Sequence, residues 1–268
     1  MARYAMNELT TYRWSFEEDA QRYRAAGFEA LSVWRHKLSD FGEEKGAVLL
    51  AELGLEVASL LWAGGFTGSD GRNFRESLDD ARDAVRVAEL LGARCLIVYA
   101  GGRAGHTRNH VRRILRHALQ ELVPWAAEHR VTLALKPMHE CCAAEWTFLT
   151  DLDETLSLID AHQSPYLKLA FDAYHWGLAP QIVERAADFA ARTAIVQLGD
   201  ARQAPQGEPN RCPLGEGTLP LAELIAAFEK AGYGGPYDIE LMGEDIEASD
   251  YQQLIVDSRA YVARCLNA

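Results

Sequence analysis

The chain has 268 residues, of which 49% are hydrophobic and 25% charged, and its formal net charge is −12. An acidic surface repels a phosphate backbone, so we expect no nucleic-acid partner. The sequence contains no run of about 18 apolar residues, so we expect no membrane-spanning helix.

Two further features bear on the compartment of the protein. The first residues lack the apolar run and cleavage site of a signal peptide. The five cysteines form no CxxC pair and their number is odd, which is typical of reduced thiols rather than a disulfide framework. Both features predict a cytoplasmic protein.

Eight short apolar runs follow one another along the chain. Each is partly β-branched or aromatic and lacks strict alternation, as is typical of parallel strands buried on both faces. The runs are AMNEL near residue 5, FEALSVW at 28, LEVASLLW at 55, CLIVYA at 95, VTLALK at 131, LKLAFD at 167, TAIVQLGD at 193 and YDIELMG at 237.

Stretches with helical signals separate these runs. Start signals of the capping-box type are Ser15 with Glu18, Thr150 with Asp153, and Ser249 with Gln252. The pattern HVRRILRHALQELVPWAAEH also predicts a helix, although Pro124 should kink or interrupt it.

The alternation of strands and helices predicts the fold class. Eight units in 268 residues give about 33 residues per unit, the size of a βα unit. We therefore predict an α/β protein with a single (β/α)8 TIM barrel over residues 1–268. The main alternative is a doubly wound open sheet, which predicts a glycine fingerprint after the first strand, and MNELTTYRW has none.

In a barrel, catalytic groups come from the C-terminal ends of the strands. The first four strand ends are mostly aromatic or small, whereas the last four carry polar groups. These polar groups are Lys136 and His139, Asp172 and His175, Gln197 and Asp200, and Glu240 with Glu244. The asymmetry predicts a pocket with apolar walls on one side and chemistry on the other.

Three of the polar residues indicate a metal site. Asp172, Gln197 and Glu240 each lie at the end of an apolar run, and their oxygens would repel one another at one barrel mouth unless a cation joined them. Hard oxygen ligands suit Mg²⁺ or Mn²⁺. For any one residue a solvated strand end is the simpler interpretation. As a set, with His175 one turn beyond Asp172 as an orienting or acid–base group, they favour a site.

The same segments resemble a known family. FDAYHWG resembles the D-x-x-H strand end of the sugar isomerase/epimerase superfamily, the xylose-isomerase-like barrels. IVQLGDARQAPQGEPNRCPLGEGTLPL and GYGGPYDIELMGED resemble its next two segments, whereas the first half of the chain matches only in pattern. The nearest members are the sugar phosphate isomerase/epimerase and hydroxypyruvate-isomerase-like proteins. The resemblance implies a sugar or keto-polyol substrate and a divalent metal, Mn²⁺ or Mg²⁺.

The resemblance also implies a ligand set with one departure. In the family a glutamate, an aspartate, a histidine or glutamine, and a final glutamate hold the metal. Asp172, Gln197 and Glu240 would be three of these ligands. The fourth normally lies in a segment of the form L-A-L-E-P, and here the segment is LALKP. Lys136 therefore stands where the family has a glutamate that is both metal ligand and proton-transfer base.

The chemistry of the family moves a proton at a carbon next to a carbonyl, through an enediolate. On this basis Glu240, Lys136 and His175 are the candidate catalytic residues. The role of Lys136 stays open: its ammonium could replace the metal in an ion pair with Asp172 and Glu240, or it could swing aside. Carboxylate neighbours raise a lysine pKa and burial lowers it, and a neutral Lys136 could act as a base.

Four residues are candidates for substrate binding. Arg211 resembles the arginine that contacts substrate oxygens in the family, and Arg202 is a second candidate. His139 is expected to point into the mouth, and Trp176 to form an apolar wall for a sugar face. The predicted partner is a small-molecule sugar or keto-polyol, and a homo-oligomer is possible.

Three functions fit these observations. The first is a metal-dependent isomerase or epimerase acting on a keto sugar, and the second is a lyase or dehydratase that shares the enolate step. The third is a carbohydrate-binding barrel without turnover, suggested by Lys136. The DNA-repair endonucleases of this fold need additional histidines, including an Asp-x-His pair, and no such pair follows Gln197.

Overall fold

The computed structural model describes residues 2–207 and 210–267. Eight parallel strands form a closed barrel in chain order, and β8 pairs with β1 to complete it. The strands are β1 (Tyr4–Asn7), β2 (Ala30–Trp34), β3 (Glu56–Gly64), β4 (Cys95–Tyr99), β5 (Thr132–Leu135), β6 (Leu167–Asp172), β7 (Thr193–Leu198) and β8 (Tyr237–Ile239). Each contains part of one predicted apolar run, so the predicted (β/α)8 barrel is confirmed and the open sheet is excluded.

Helices surround the barrel and follow its strands. They are α1 (Phe16–Ala25), α2 (Arg35–Phe41), α3 (Glu43–Leu53), α4 (Phe74–Leu90), α5 (Arg108–Glu128), α6 (Leu152–His162), α7 (Ala173–Trp176), α8 (Ile182–Phe189), α9 (Leu221–Lys230), α10 (Glu244–Glu247) and α11 (Tyr251–Leu266). A short 3₁₀ helix, Ala190–Arg192, precedes β7. None of the described helices combines the length and apolar character that crossing a bilayer requires.

The strands bury two distinct apolar layers. One joins the outer face of the sheet to the helices and includes Met6, Leu31 and Leu133. The other lies inside the barrel, because it draws on alternate strand positions and on no helix residue. It is built mainly from small side chains, among them Ala5, Ala30, Ala58, Ala134 and Ala170. The inward-pointing side chains that come next along each strand therefore lie in the barrel mouth.

Two of the predicted helix starts were wrong by one residue. Ser15 caps α1 as predicted, since its hydroxyl accepts from the backbone N–H of Glu18. At α6 and α11, however, the caps are Asp151 and Asp250 rather than Thr150 and Ser249. A carboxylate accepts from the positively polarised helix N-terminus more strongly than a hydroxyl does, so the following aspartate takes the cap.

Pro124 does not interrupt α5, contrary to one of the two predicted outcomes. The helix continues from Pro124 to Glu128. Packing against α4 offsets the lost backbone hydrogen bond. The Trp125 ring lies under the guanidinium of Arg86, 5.2 Å from ring centroid to Cζ, and Ala126 is fully buried.

Candidate active site

A cluster of charged side chains lies at the C-terminal mouth of the barrel. Lys136 directly follows β5, Asp172 ends β6, and Glu240 directly follows β8. All three are almost fully buried, with Lys136 only 1% exposed. Charged groups this deep are found only where they are paired.

Lys136 lies between the two carboxylates. Its ammonium nitrogen is 2.9 Å from Asp172 Oδ2 and 3.1 Å from Glu240 Oε1, with Glu240 Oε2 at 3.4 Å. The Tyr99 ring closes another side of the ammonium, with its centroid 5.9 Å from Nζ. The lysine therefore stands where a cation joining the two carboxylates would be placed.

Arg211 is a second cation on the same two oxygens. Its Nη2 donates to Asp172 Oδ2 at 2.9 Å and to Glu240 Oε1 at 3.1 Å. The guanidinium also lies over the Tyr174 ring, 4.2 Å from the centroid. Gly199 makes this approach possible, because a Cβ there would be only 2.7 Å from Arg211 Nε.

A layer of amides supports the carboxylates from below. The Gln197 amide nitrogen donates to Glu240 Oε2, and also to Asp238 Oδ2 at 3.1 Å. The Asn7 amide nitrogen donates to the same Asp238 oxygen at 2.8 Å and to Glu240 Oε2 at 3.3 Å. Burial, followed by the charge of Glu240, raises the pKa of Asp238 to about 7.

The charges around Lys136 decide its protonation state. Burial alone would lower the pKa of Lys136, but Asp172 and Glu240 outweigh it and hold the pKa above its usual value. Burial alone would raise the pKa of Asp172, but Lys136 and Arg211 hold it below its usual value. Lys136 is therefore a protonated ammonium at neutral pH, and its use as a neutral base or Schiff-base amine is disfavoured.

His175 faces the same cluster in its neutral form. Its Nε2 lies 3.7 Å from Asp172 Oδ2, too far for a hydrogen bond, and neither ring nitrogen has a hydrogen-bond partner among the described residues. Burial lowers the pKa of His175 to about 3, although Asp172 opposes the shift. The imidazole is thus an uncharged, buried group whose hydrogen-bonding capacity is not used by the protein.

A cavity of about 430 Å³ opens above the cluster. Lys136, Glu240, Arg211 and His175 are among its polar lining residues. Aromatic side chains form much of the rest, namely Trp62, Tyr99, Trp146 and Tyr174. The predicted division between apolar walls and polar chemistry is therefore present in the cavity, within the size range of small-molecule sites.

The remaining substrate-binding candidates lie outside this cavity lining. His139 is half-buried, and its Nδ1 accepts from the Cys141 backbone N–H at 3.4 Å. Trp176 is half-buried, and its Nε1 donates to Pro137 O at 3.3 Å. Arg202 is exposed and pairs with Glu216 and Asp245, because it follows the strand by four residues and points toward α10. Of the four, the structure brings only Arg211 into the cluster.

Several residues of the site were not singled out from the sequence. Asp238 precedes Glu240 by two positions, so both side chains point to the same face of β8, and this spacing could have revealed it. Tyr99 and Trp146 gave no comparable signal. Asn7 ends β1, and its bond to Asp238 requires the closure of β1 against β8.

The residues present do not fit the divalent ion that the resemblance implies. Lys136 stands where the resemblance implies a carboxylate ligand, and with Arg211 it already neutralises Asp172 and Glu240. Gln197 directs its amide nitrogen, a donor, toward Glu240. Within residues 2–207 and 210–267, no group of three or more His, Cys, Asp or Glu side chains is arranged to hold a metal. Cys141 and Cys142 are free thiols.

Comparison with known proteins places this geometry in context. A family model for the xylose isomerase-like TIM barrel matches residues 20–264. The L-ribulose-5-phosphate 3-epimerase UlaE of Escherichia coli is 24% identical over 174 residues, which cover 64% of this chain and 58% of that enzyme. The match thus spans little more than half the length of that relative.

Two solved structures share the whole fold. A protein from Sinorhizobium meliloti superposes with a TM-score of 0.90 and 23% identity, covering 98% of both chains. The IolI protein, solved with a bound zinc atom, superposes with a TM-score of 0.85 and 14% identity, also covering 98% of both chains. At these identities the likeness extends to the fold alone.

Proposed function

Because the chain belongs to the xylose isomerase-like TIM barrel family, we propose that it is a sugar epimerase or isomerase that moves a proton at a carbon next to a carbonyl. One observation carries the proposal. Two cations, Lys136 and Arg211, share the same two carboxylate oxygens beneath an aromatic-walled cavity. Such a cluster offers positive charge and a proton acceptor within one small volume.

The positive charge would act on the substrate carbonyl. An ammonium has three N–H donors, and Asp172 and Glu240 engage two directions around Lys136. Since Lys136 lines the cavity, its remaining donor can reach a substrate oxygen. As the α-proton leaves, negative charge develops on that oxygen, and a preorganised cation in a buried site stabilises it strongly. Lys136 and Arg211 would thus perform the electrostatic task that a divalent metal performs elsewhere in the family.

The proton acceptor in this proposal is Glu240. In the free protein its two oxygens accept from Lys136, Arg211, Gln197 and Asn7. When Lys136 turns a hydrogen bond toward the substrate oxygen, one of these four bonds is released. A lone pair of Glu240 is then free to take the substrate proton.

The proton then returns to complete the reaction. The C–H electron pair moves to form the enediolate double bond, and the carbonyl oxygen takes the negative charge. Return of a proton to the former carbonyl carbon gives the isomer, as the hydroxyl on the neighbouring carbon passes its proton to the former carbonyl oxygen. Delivery of a proton from solvent to the opposite face of the original carbon gives the epimer, and Glu240 then releases the proton that it took to solvent. His175, neutral and without a protein partner among the described residues, would hydrogen-bond a substrate hydroxyl and fix the sugar for this step.

The free state of all five cysteines supports a reducing compartment such as the cytoplasm.

Deuterium exchange tests the proposal directly. Purified protein is incubated in D₂O with ketopentoses and ketohexoses, and NMR follows deuterium entering the carbons next to the carbonyl. We expect exchange and an isomerised or epimerised product with at least one sugar, undiminished after dialysis against EDTA. Loss of a β-hydroxyl would instead indicate a lyase. Sugar binding without exchange would indicate a barrel without turnover, and either result would contradict the proposal.

A further inference from the structure

A second, smaller cavity lies directly beside the main cavity. Its volume is about 180 Å³, and it shares Trp62, Tyr99, Glu145 and Trp146 with the main cavity. The end of β3 and the loop after it supply the other lining residues, Gly64, Gly65, Ser69, Asp70 and Arg72. The two cavities are therefore compartments joined along one aromatic wall.

The shared wall contains one large ring that stays accessible. The Trp62 and Trp146 rings meet edge to face with their centroids 5.0 Å apart, and the Tyr99 and Trp146 centroids are 5.4 Å apart. Trp146 is nevertheless 41% exposed. A large rigid ring held open between two cavities provides contact area for a ligand at little entropic cost, and the C–H face of a sugar packs on such a surface.

The charge in the second cavity fits hydroxyl groups better than a phosphate. Arg72 is the single cation in the described lining, and it is already compensated. Its Nη2 lies 2.6 Å from Asp70 Oδ2 and its Nη1 lies 2.8 Å from Asp80 Oδ2. Nη2 also donates to Gly64 O at 3.1 Å. A paired guanidinium and carboxylate offer donors and acceptors side by side, which matches vicinal hydroxyls, whereas a phosphate needs uncompensated cations.

The cations of the main cavity are also compensated by carboxylates. Lys136 and Arg211 are neutralised by Asp172 and Glu240. At the shared wall, Glu145 forms no ion pair with any residue that the structure describes. A phosphorylated sugar would therefore meet one additional carboxylate and no uncompensated cation in the described part of either cavity.

Resting on the keto-sugar chemistry proposed for the main cavity, we infer that the substrate is an unphosphorylated keto sugar carrying a second sugar or similar hydroxyl-rich group. The reacting unit occupies the main cavity. The second group passes over Trp146 and occupies the smaller cavity, where Asp70 and Arg72 contact its hydroxyls.

Calorimetric binding to the native protein tests this inference. The probes are fructose, fructose 6-phosphate and three disaccharides with a fructose reducing unit: lactulose, turanose and isomaltulose. At least one disaccharide should bind about tenfold more tightly than fructose, the contribution expected from one good aromatic contact. Fructose 6-phosphate should bind no more tightly than fructose.

Two variants locate the effect. Asp70→Asn keeps the shape of the second cavity and removes one charge, and Trp146→Ala removes the shared ring. Trp146→Ala should bring the ratio of disaccharide to fructose affinity close to one, and Asp70→Asn should lower that ratio. The control is Leu90→Ala, which removes an exposed apolar side chain at the end of α4, away from both cavities, and should keep the tenfold ratio.

Two results would overturn the inference: equal affinity for fructose and all three disaccharides, or tightest binding of fructose 6-phosphate. The proposed function fails differently. If the disaccharide preference holds but no sugar exchanges deuterium, the second cavity is a binding compartment and the catalytic proposal is wrong. If exchange occurs with fructose but no disaccharide binds better, the catalytic proposal stands and the inferred second group of the substrate is wrong.

Discussion

The ammonium nitrogen of Lys136 lies 2.9 Å from Asp172 Oδ2, at the position where the resemblance to the family implies a glutamate. Asp172, which would share a metal with that glutamate, instead pairs with the protonated Lys136. Lys136 thus changes the charge of the site, and it makes a side-chain cation rather than a metal the group that balances the carboxylates.

Lys136→Glu should create a metal site. The change removes a positive charge and adds a third carboxylate beside Asp172 and Glu240, which gives the oxygen-rich set that Mn²⁺ prefers. We expect about one Mn²⁺ per chain after dialysis of the variant, measured by elemental analysis. The native protein and the charge-removing control Lys136→Met should retain far less. Equal retention by the native protein would show that Lys136 moves aside to admit the ion.

Lys136→Met should destabilise the fold at neutral pH. It leaves two buried carboxylates with Arg211 alone, and breaking a buried ion pair costs about 3–5 kcal/mol. The sign with pH follows from the lowered pKa of Asp172: the stabilisation from pairing is present above the unfolded aspartate pKa of about 3.9 and is lost as the pH falls through the folded pKa. Urea unfolding at pH 7 and pH 3 should therefore show a larger loss at pH 7. Lys168→Met, at a partly exposed lysine on β6, should change stability by no more than about 0.5 kcal/mol.

Asp238→Asn should flatten the dependence of stability on pH. The folded pKa of Asp238 is about 7, above that of the unfolded chain, so the native state binds more protons between about pH 4 and pH 7. Its contribution to stability therefore falls as the pH rises through this window. The difference in unfolding free energy between pH 5 and pH 8 should shift in favour of pH 8 in the variant. The exposed substitution Asp257→Asn should leave that difference unchanged, and a similar shift in both variants would refute the assignment.

Gly199→Ala should reduce turnover by displacing Arg211. The new Cβ would lie 2.7 Å from Arg211 Nε and 2.9 Å from Glu240 O, so the guanidinium must shift. Misplacement of a catalytic group by about 1 Å can cost about 10²-fold in rate. Deuterium exchange on the best sugar substrate measures the loss. Gly234→Ala is the matched control, because its Cβ would have no neighbour within 4 Å, and it should keep native activity. Equal activities would show that Arg211 is not required in its present position.

The fold and the strand-end positions of the charged residues could be predicted from the sequence, but their pairing could not. Buried runs and βα spacing predicted every strand of the barrel, because those signals are local. The position of Lys136 at a strand end was also local. Its partners were not, since Glu240 lies 104 residues away and the outcome for Lys136 depended on opposing effects of burial and charge. On the resemblance, Arg211 was the first candidate for substrate contact and Arg202 the second. Their partners could not be predicted, because the contacts of a loop arginine are made with residues distant in sequence.

The distance along the chain between Lys136 and Glu240 also governs how the protein can be made. During synthesis, Lys136 emerges from the ribosome 104 residues before its second partner. Until that partner arrives, Lys136 can pair only with Asp172, because Glu240 follows the last strand. The same strand closes the barrel by pairing with β7 and β1. Completion of the charged cluster and closure of the barrel therefore depend on one and the same segment.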